Sequence, residues 1–560
     1  MNGSQDRHEV SGLPTTARDL RYGRSDGATL LAKTLRNQAV DIVFIMEGCE
    51  NAAVHFAFSG VGIRLIALPT ASLVLSVADS YSRITGRLAC ALIYRKLDIS
   101  TALSAMVFAS LAESSILILT GRAFLNRPED AATGDARQTD AISALTKFSG
   151  VVATVDALAN IITRASLEAL KDRPGLAYLE LEAGLFNQDA SVEPAFSADK
   201  IASSETRLYD EGAAQTVAMR IMSSMRPCIL FGQGLWNPEA RKTAQEFCRK
   251  LNVPGYASRF AGEIFPPDDQ YQIFYSLHHA LTRADLVIVL GALPNLLSSR
   301  GDTTIPGPSL VQISHGNEVF DPADDFALPL FDESRLLRAT LETLGYAEDD
   351  GGAEREPWLD ELHEAEQQTR AVLTSTFQSH AQSIHINDLL SEITIFAKST
   401  TTLIYDPCLG LEPVDIRAAP GRFNVKLAPV PGMGVPLVLA ADLARPGTEI
   451  LCLTNASSFR ASGFDLELCV RRSIAAIFLI YESPVSNAGG RPDFTNVGKE
   501  RPPHNAIARL PVVEFARLLG ASGERVHDSS NIQAALQRAR SYGKCTVIYI
   551  SATSVQLNTP

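Results

Sequence analysis

Cysteine is scarce in this chain, with eight residues in 560 and no pair spaced as C-x-x-C. That spacing excludes a disulfide-stapled scaffold and a zinc ribbon. Buried, reduced thiols are the reading for Cys49, Cys90, Cys228, Cys248, Cys408, Cys452, Cys469 and Cys545. Long apolar runs are missing too, since Leu65–Ala78 is broken by Pro69, Thr70 and Ser72, and Ile474–Tyr481 is short. Neither approaches the roughly 20 residues of a membrane-spanning helix. Positive charge is in deficit, with 50 Lys and Arg against 63 Asp and Glu and a formal net charge of −13. A duplex nucleic-acid footprint needs a basic stripe, and none is present. Nucleic acid and membrane are therefore excluded as partners. No HExxH, P-loop, G-x-S-x-G elbow or zinc-spaced Cys/His cluster occurs. The polar stretch Met1–Asp26 lacks a secretory apolar core, and Gln556–Pro560 is not a peroxisomal address. A cytoplasmic location is expected.

What is present reads as globular: 46% apolar and 20% charged residues. At about 150 residues per domain, the length implies roughly three to four domains. Residues 1–27 read as a flexible leader. Over 28–190, the runs at 41–46, 64–68, 89–94 and 115–120 read as strands separated by helical stretches such as 73–85. A second series over 207–345 includes runs at 228–231, 286–290 and 310–313. Residues 346–380, opening on Glu348-Asp349-Asp350-Gly351-Gly352, read as an acidic connector. A third series over 381–560 includes 449–453, 476–481 and 545–550. Short continuous apolar strands alternating with helices imply parallel sheets covered on both faces. The fold class expected is α/β, with three doubly wound domains.

Two glycine-bearing turns stand where such folds bind ligands. Gly232-Gln233-Gly234 follows a strand and precedes a helix at 239–251, which suits a nucleotide phosphate, although Asn237 stands where a third glycine would be. Pro431-Gly432-Met433-Gly434 precedes a helical run at 437–443, and a strand then ends in the polar turn Thr454–Phe459. Glycine lets the backbone approach another group closely. His278-His279 reads as a solvated helix end.

The order of these parts resembles the thiamine diphosphate-dependent enzymes. The nearest branch is that of oxalyl-CoA decarboxylase and 2-hydroxyacyl-CoA lyase, an acetolactate synthase-like group. The most specific stretch is Ser457-Ser458-Phe459-Arg460-Ala461-Ser462-Gly463-Phe464-Asp465-Leu466-Glu467, similar to the family's Ser-Ala-Phe-Gly-Phe-Ser-Gly-Met-Glu-Val-Glu. Support comes from Ala284–Ala292 and from Thr146-Lys147-Phe148-Ser149. The resemblance spans roughly residues 28–550 and implies pyrimidine-type, central and diphosphate-type domains. It also implies self-association as a dimer or tetramer, with the cofactor cleft between the first domain of one subunit and the third of its partner.

Several family positions are changed. Counting back from Asp79–Gly86, the Glu that promotes cofactor deprotonation is Ala71, and a methyl group cannot move a proton. The motif that supplies Asp to Mg²⁺ reads Asn455-Ala456-Ser457, and the later Asn ligands read Glu482-Ser483. The Ser-Gly-Pro-Gly loop reads Arg95-Lys96-Leu97-Asp98, and Gly-Ala-Arg of the central domain reads Gly291-Ala292-Leu293. Met433, which props the cofactor in the family, is retained. A carboligase of this fold works without the Glu, so that loss alone is tolerable.

The sequence reading is that thiamine and magnesium chemistry is lost, with no cofactor and no metal. The vacated cleft then serves a cofactor-independent isomerisation, cyclisation or condensation of a small organic molecule. Glu47, Cys49, Arg95, Lys96, Arg460 and Glu482 are its candidate polar groups. If the ancestral site was rebuilt, Gly432, Met433, Gly434, Asn455, Ser457 and Ser458 hold the diphosphate, with Glu482 available to the metal, for carbon–carbon lyase or ligase chemistry. A bound nucleotide would use Gly232 and Gly234. A non-catalytic, partner-binding relative is the third alternative.

Overall fold

Three parallel sheets follow one another along the chain. The computed structural model describes residues 26–48, 52–121, 140–171, 174–182, 184–190, 211–232, 238–257, 264–265, 269–273, 276–290, 309–314, 326–329, 333–344, 353–378, 384, 386–398, 400–405, 423–426, 432–482 and 511–551. The first sheet contains β1 (Ile42–Met46), β2 (Arg64–Leu68), β3 (Ala89–Arg95), β4 (Ile116–Gly121), β5 (Phe148–Val152) and β6 (Leu176–Leu181), in the order β2-β1-β3-β4-β6-β5. Every residue of β1, β4 and β6 is buried, as expected of strands with helices on both faces. The central sheet is β11-β10-β9-β7-β8, from β7 (Pro227–Phe231), β8 (Gly255–Ala257), β9 (Leu286–Leu290), β10 (Ser309–Ser314) and β11 (Phe326–Pro329). The third contains β12 (Thr402–Tyr405), β13 (Phe423–Lys426), β14 (Ile450–Asn455), β15 (Ala476–Glu482), β16 (Ser522–Val526) and β17 (Thr546–Ser551).

Its order, β13-β12-β14-β15-β17-β16, repeats the winding of the first sheet strand for strand. Both sheets therefore change winding direction between their first and third strands: β1 and β3 in one, β12 and β14 in the other. Crevices at the carboxyl ends of such strand pairs are the usual ligand positions of open α/β sheets. The first and third sheets also share one apolar core. Within it the helix Ala71–Thr85 packs on the helix Gly434–Ala444. The latter is buried at Val435, Leu437, Val438, Leu439, Ala440 and Ala441, as a helix enclosed on all sides must be.

The acidic stretch is more ordered than its composition suggests. Helix Glu356–Gln378 lies within it, preceded by the turn Ala353–Arg355, and it docks on the central unit through polar anchors. Trp358 Nε1 donates to Pro227 O at 2.9 Å, and Glu366 Oε2 accepts from Ser276 N and Oγ, both at 2.8 Å. The solvated reading holds for His278, which is exposed, and needs correction for His279, whose Nε2 is 2.9 Å from Glu361 Oε1. The six described cysteines are buried and form no disulfide among the described residues, and burial pushes the Cys228 and Cys545 thiols up to about 12. No described helix is long and apolar enough to cross a membrane.

Candidate cofactor site

Strand β14 runs to Asn455, and the segment read as a polar turn is the helix Ala456–Ser462, which begins without a spacer. Asn455 makes this possible as an N-cap: its Oδ1 accepts from Ser458 N at 2.7 Å. Ser458 Oγ in turn accepts from Gly432 N at 2.7 Å, in a fully buried bond. That bond ties the turn before helix Gly434–Ala444 to the end of β14. Gly432 has φ +92°, and a Cβ there would stand 2.9 Å from Ala461 Cβ. Only glycine meets both demands. Met433 is buried in the shared core at the head of the helix.

Next to β14, strand β15 pairs Tyr481 with Asn455. Glu482 is one residue farther and so is level with Ala456. Its Oε2 is buried with no hydrogen-bond partner among the described residues. Ser457 and Arg460 are exposed on the Ala456–Ser462 helix.

In the first sheet, Glu47 follows β1, and its N–H donates to Leu68 O at the end of β2, at 2.7 Å. Its carboxylate pairs with Arg471 at 2.9 Å. Arg471 closes the helix Leu466–Arg471, which leads into the amino end of β15. Within one chain, Glu47 thus sits by the opposite end of β15 from Glu482, and the strand's seven residues span roughly 20 Å. Ala71 is 1% exposed in the first turn of its helix. Arg95 and Lys96 follow a break in the β3–β4 register between Ile93 and Arg95. In the central sheet, Gly232 N donates to Leu290 O at 2.8 Å. Cys49, Gly234 and Ser483 lie outside the described residues.

Three sequence families match in the order of the sheets: thiamine pyrophosphate enzyme, N-terminal TPP binding domain, over residues 25–160; central domain, over 214–343; and C-terminal TPP binding domain, over 417–550. The chain belongs to the thiamine pyrophosphate enzymes. It is similar to a probable acetolactate synthase of Mycobacterium bovis, 21% identical over 93% of this chain and 94% of the relative. Similarity to the 2-hydroxyacyl-CoA lyase 1 of Mus musculus is 19% over 92% and 91%. An acetolactate synthase of Bacillus subtilis is 21% identical over 92% and 91%. Both cofactor-binding domains of the family are matched, so the sequence expectation of a lost cofactor and a cofactor-independent reaction finds no support here. Thiamine diphosphate (the same compound as thiamine pyrophosphate) with Mg²⁺ is what the family implies.

The residues present suit the diphosphate and metal end of that group. The glycine turn is tied to the end of β14 by Ser458, the head of an 11-residue helix follows it, and among the described residues a carboxylate oxygen at the strand end has no partner. Helix N-termini and glycine turns favour phosphate oxygens, and Mg²⁺ takes carboxylate with phosphate. The other end differs, since Ala71 offers no donor or acceptor.

Asp465 has no mark in the sequence as a titrating group, because only burial sets it apart. It ends the turn Gly463–Asp465 beside the exposed Phe464, and burial pushes its carboxyl up to about 6. A carboxyl raised in the folded state binds protons more tightly there than in the unfolded chain. Its stabilising contribution is complete below the ordinary value of 3.8 and is lost as pH rises through about 6. Asp465→Asn is therefore expected to raise the urea midpoint at about pH 7.5, with the gain shrinking toward about pH 4. An equal difference at both pH values would count against this account.

Proposed function

We propose that this chain is a thiamine diphosphate-dependent enzyme that makes or breaks a carbon–carbon bond in a small 2-oxo acid or 2-hydroxyacyl-CoA substrate. It does so with a rebuilt diphosphate and metal end and without the usual first-domain carboxylate. The observation that carries this reading is the buried chain of hydrogen bonds from Asn455 through Ser458 to Gly432. It fixes a buried turn with a left-handed glycine, Gly432, beside the end of β14. The activities that name the relatives, acetolactate synthase and 2-hydroxyacyl-CoA lyase, both act at carbon–carbon bonds, and they supply the substrate class.

In this reading Gly432 and Gly434 admit the diphosphate, Asn455 and Ser458 hold that turn in place, and Met433 shapes the wall behind it. Bound thiamine diphosphate supplies a carbon that holds the electron pair of the broken bond. At position 71 the chain contributes only an apolar surface, so no side chain there relays a proton. Self-association belongs to the proposal. Glu47 is clamped to Arg471 within its own chain, so a second copy has to bring a first-sheet edge to the Glu482 end of the third sheet.

The test is thermal denaturation of the full chain with thiamine diphosphate and Mg²⁺, singly and together. At a free ligand concentration 100 times Kd, joint binding adds about 2.7 kcal/mol of stability. The expected result is a shift that needs both components. No shift at millimolar concentrations would overturn the proposal and return the cleft to a cofactor-independent role, for which the buried Ala71 is the observation in favour.

A further inference from the structure

We infer that Glu482 is the metal-facing carboxylate of this chain, having taken over from strand β15 the role that residue 456 cannot perform. The inference rests on the thiamine diphosphate reading above. Three observations point to it.

First, the register of β14 and β15 pairs Asn455 with Tyr481. The residue after Asn455 has no side-chain donor, and the residue after Tyr481 is a glutamate at the same level. Adjacent strands are about 4.8 Å apart, a gap that the longer side chain of Glu can help to cover. Second, Glu482 Oε2 is buried and lacks a partner among the described residues. A buried carboxylate oxygen without hydrogen bonds is costly, and a cation in contact with it removes that cost. Third, the neighbouring polar groups are engaged elsewhere. Asn455 Oδ1 caps a helix and Ser458 Oγ holds Gly432.

Among the described residues no group of three or more His, Cys, Asp or Glu could hold a metal by itself. The ion therefore needs oxygens from elsewhere. Mg²⁺ fits that demand, because it commonly binds one or two carboxylates together with phosphate oxygens and water. The occupant is thus Mg²⁺ delivered with a diphosphate, and a free divalent ion alone is not expected to bind tightly.

The experiment uses the full-chain protein with Mn²⁺ as a paramagnetic substitute for Mg²⁺. Electron spin resonance of unbound Mn²⁺ reports its uptake in the presence and absence of thiamine diphosphate, independently of turnover. Wild type is expected to take up Mn²⁺ only with thiamine diphosphate. Glu482→Gln should weaken that uptake by at least the roughly tenfold that loss of even an outer-shell partner costs. The double variant Glu482→Gln with Ala456→Asp should recover it, by returning a carboxylate to the neighbouring strand end. If Glu482→Gln binds Mn²⁺ as tightly as wild type, the inference is overturned and the thiamine reading stands. If wild type takes up neither component, the thiamine reading falls and the inference with it. Should Glu482→Gln fail to fold, Ala456→Asp alone decides: tighter Mn²⁺ uptake supports a metal beside Glu482, and unchanged uptake overturns it.

Discussion

Asp79→Ala is expected to cost about 3–5 kcal/mol, the range for removing one partner of a buried ion pair. Asp79 is 2% exposed and accepts from Arg83 Nη2 at 2.6 Å and from Ser114 Oγ at 2.5 Å. The Arg83 guanidinium is buried as well, and its Nε already lacks a partner among the described residues. Truncation of Asp79 leaves that cation in the interior with no counter-charge. The magnitude comes from the stranded charge rather than from the lost attraction, which gives the prediction a sharp control. Asp79→Ala combined with Arg83→Met should be more stable than Asp79→Ala alone, because no charge remains buried. Urea midpoints of the three proteins check this, and a double variant less stable than the single one would refute it. The consequence reaches the candidate site, since this pair lies on the helix that begins at Ala71 and packs against Gly434–Ala444.

Arg355→Ala is the second large effect, expected at roughly 3 kcal/mol or more from three carbonyls each losing a charged donor. The guanidinium donates to Ile221 O at 2.6 Å, Leu251 O at 2.8 Å and Ser224 O at 3.1 Å. Ile221 and Leu251 belong to the last turns of the helices Glu211–Met222 and Pro238–Leu251, and Ser224 lies just beyond the first of them. Carbonyls at helix C-termini lack intrahelical donors and carry the negative end of the helix dipole. One planar cation therefore satisfies two helix ends. Burial lowers the Arg355 pKa, a sign that its charge is held at a cost the three bonds offset. Arg355→Lys should recover little, because a compact ammonium cannot span three acceptors in fork geometry. Trp358, three residues on, reports the outcome. It is 3% exposed and is one of only two tryptophans. Its emission should shift to the red in Arg355→Ala as the helix Glu356–Gln378 loosens, and an unshifted spectrum at wild-type stability would refute the assignment.

Much of the fold was legible along the chain. The apolar runs at Ile42–Met46, Arg64–Leu68, Ile116–Gly121 and Leu286–Leu290 are strands within a residue or so of their expected bounds. Apart from the edge strand Arg64–Leu68, which is only partly buried, these runs are strands covered on both faces, where burial leaves no alternation to blur the signal. Other edge and short strands escaped, among them Phe148–Val152, whose residues are alternately exposed, and Gly255–Ala257, with three residues. The helix Ala456–Ser462 was read as a turn because Thr, Asn and Ser are turn formers. Here one of them is a helix cap, and capping is decided by where the next amide points.

The sequence by itself determined the α/β class, the three successive sheets, and the residue types at positions 71, 432, 456 and 482. These follow from run length, periodicity and motif spacing, which are local properties of a chain. Tertiary structure alone decided that Glu482 stands level with Ala456, that Glu47 is spent on Arg471 and that Asp465 is buried enough to titrate near 6. It also turned the acidic stretch into a helix docked through Arg355 and Trp358. Register, burial and ion-pair choice join residues far apart in sequence. Their energies depend on which groups lose water together, and a linear pattern carries no record of that.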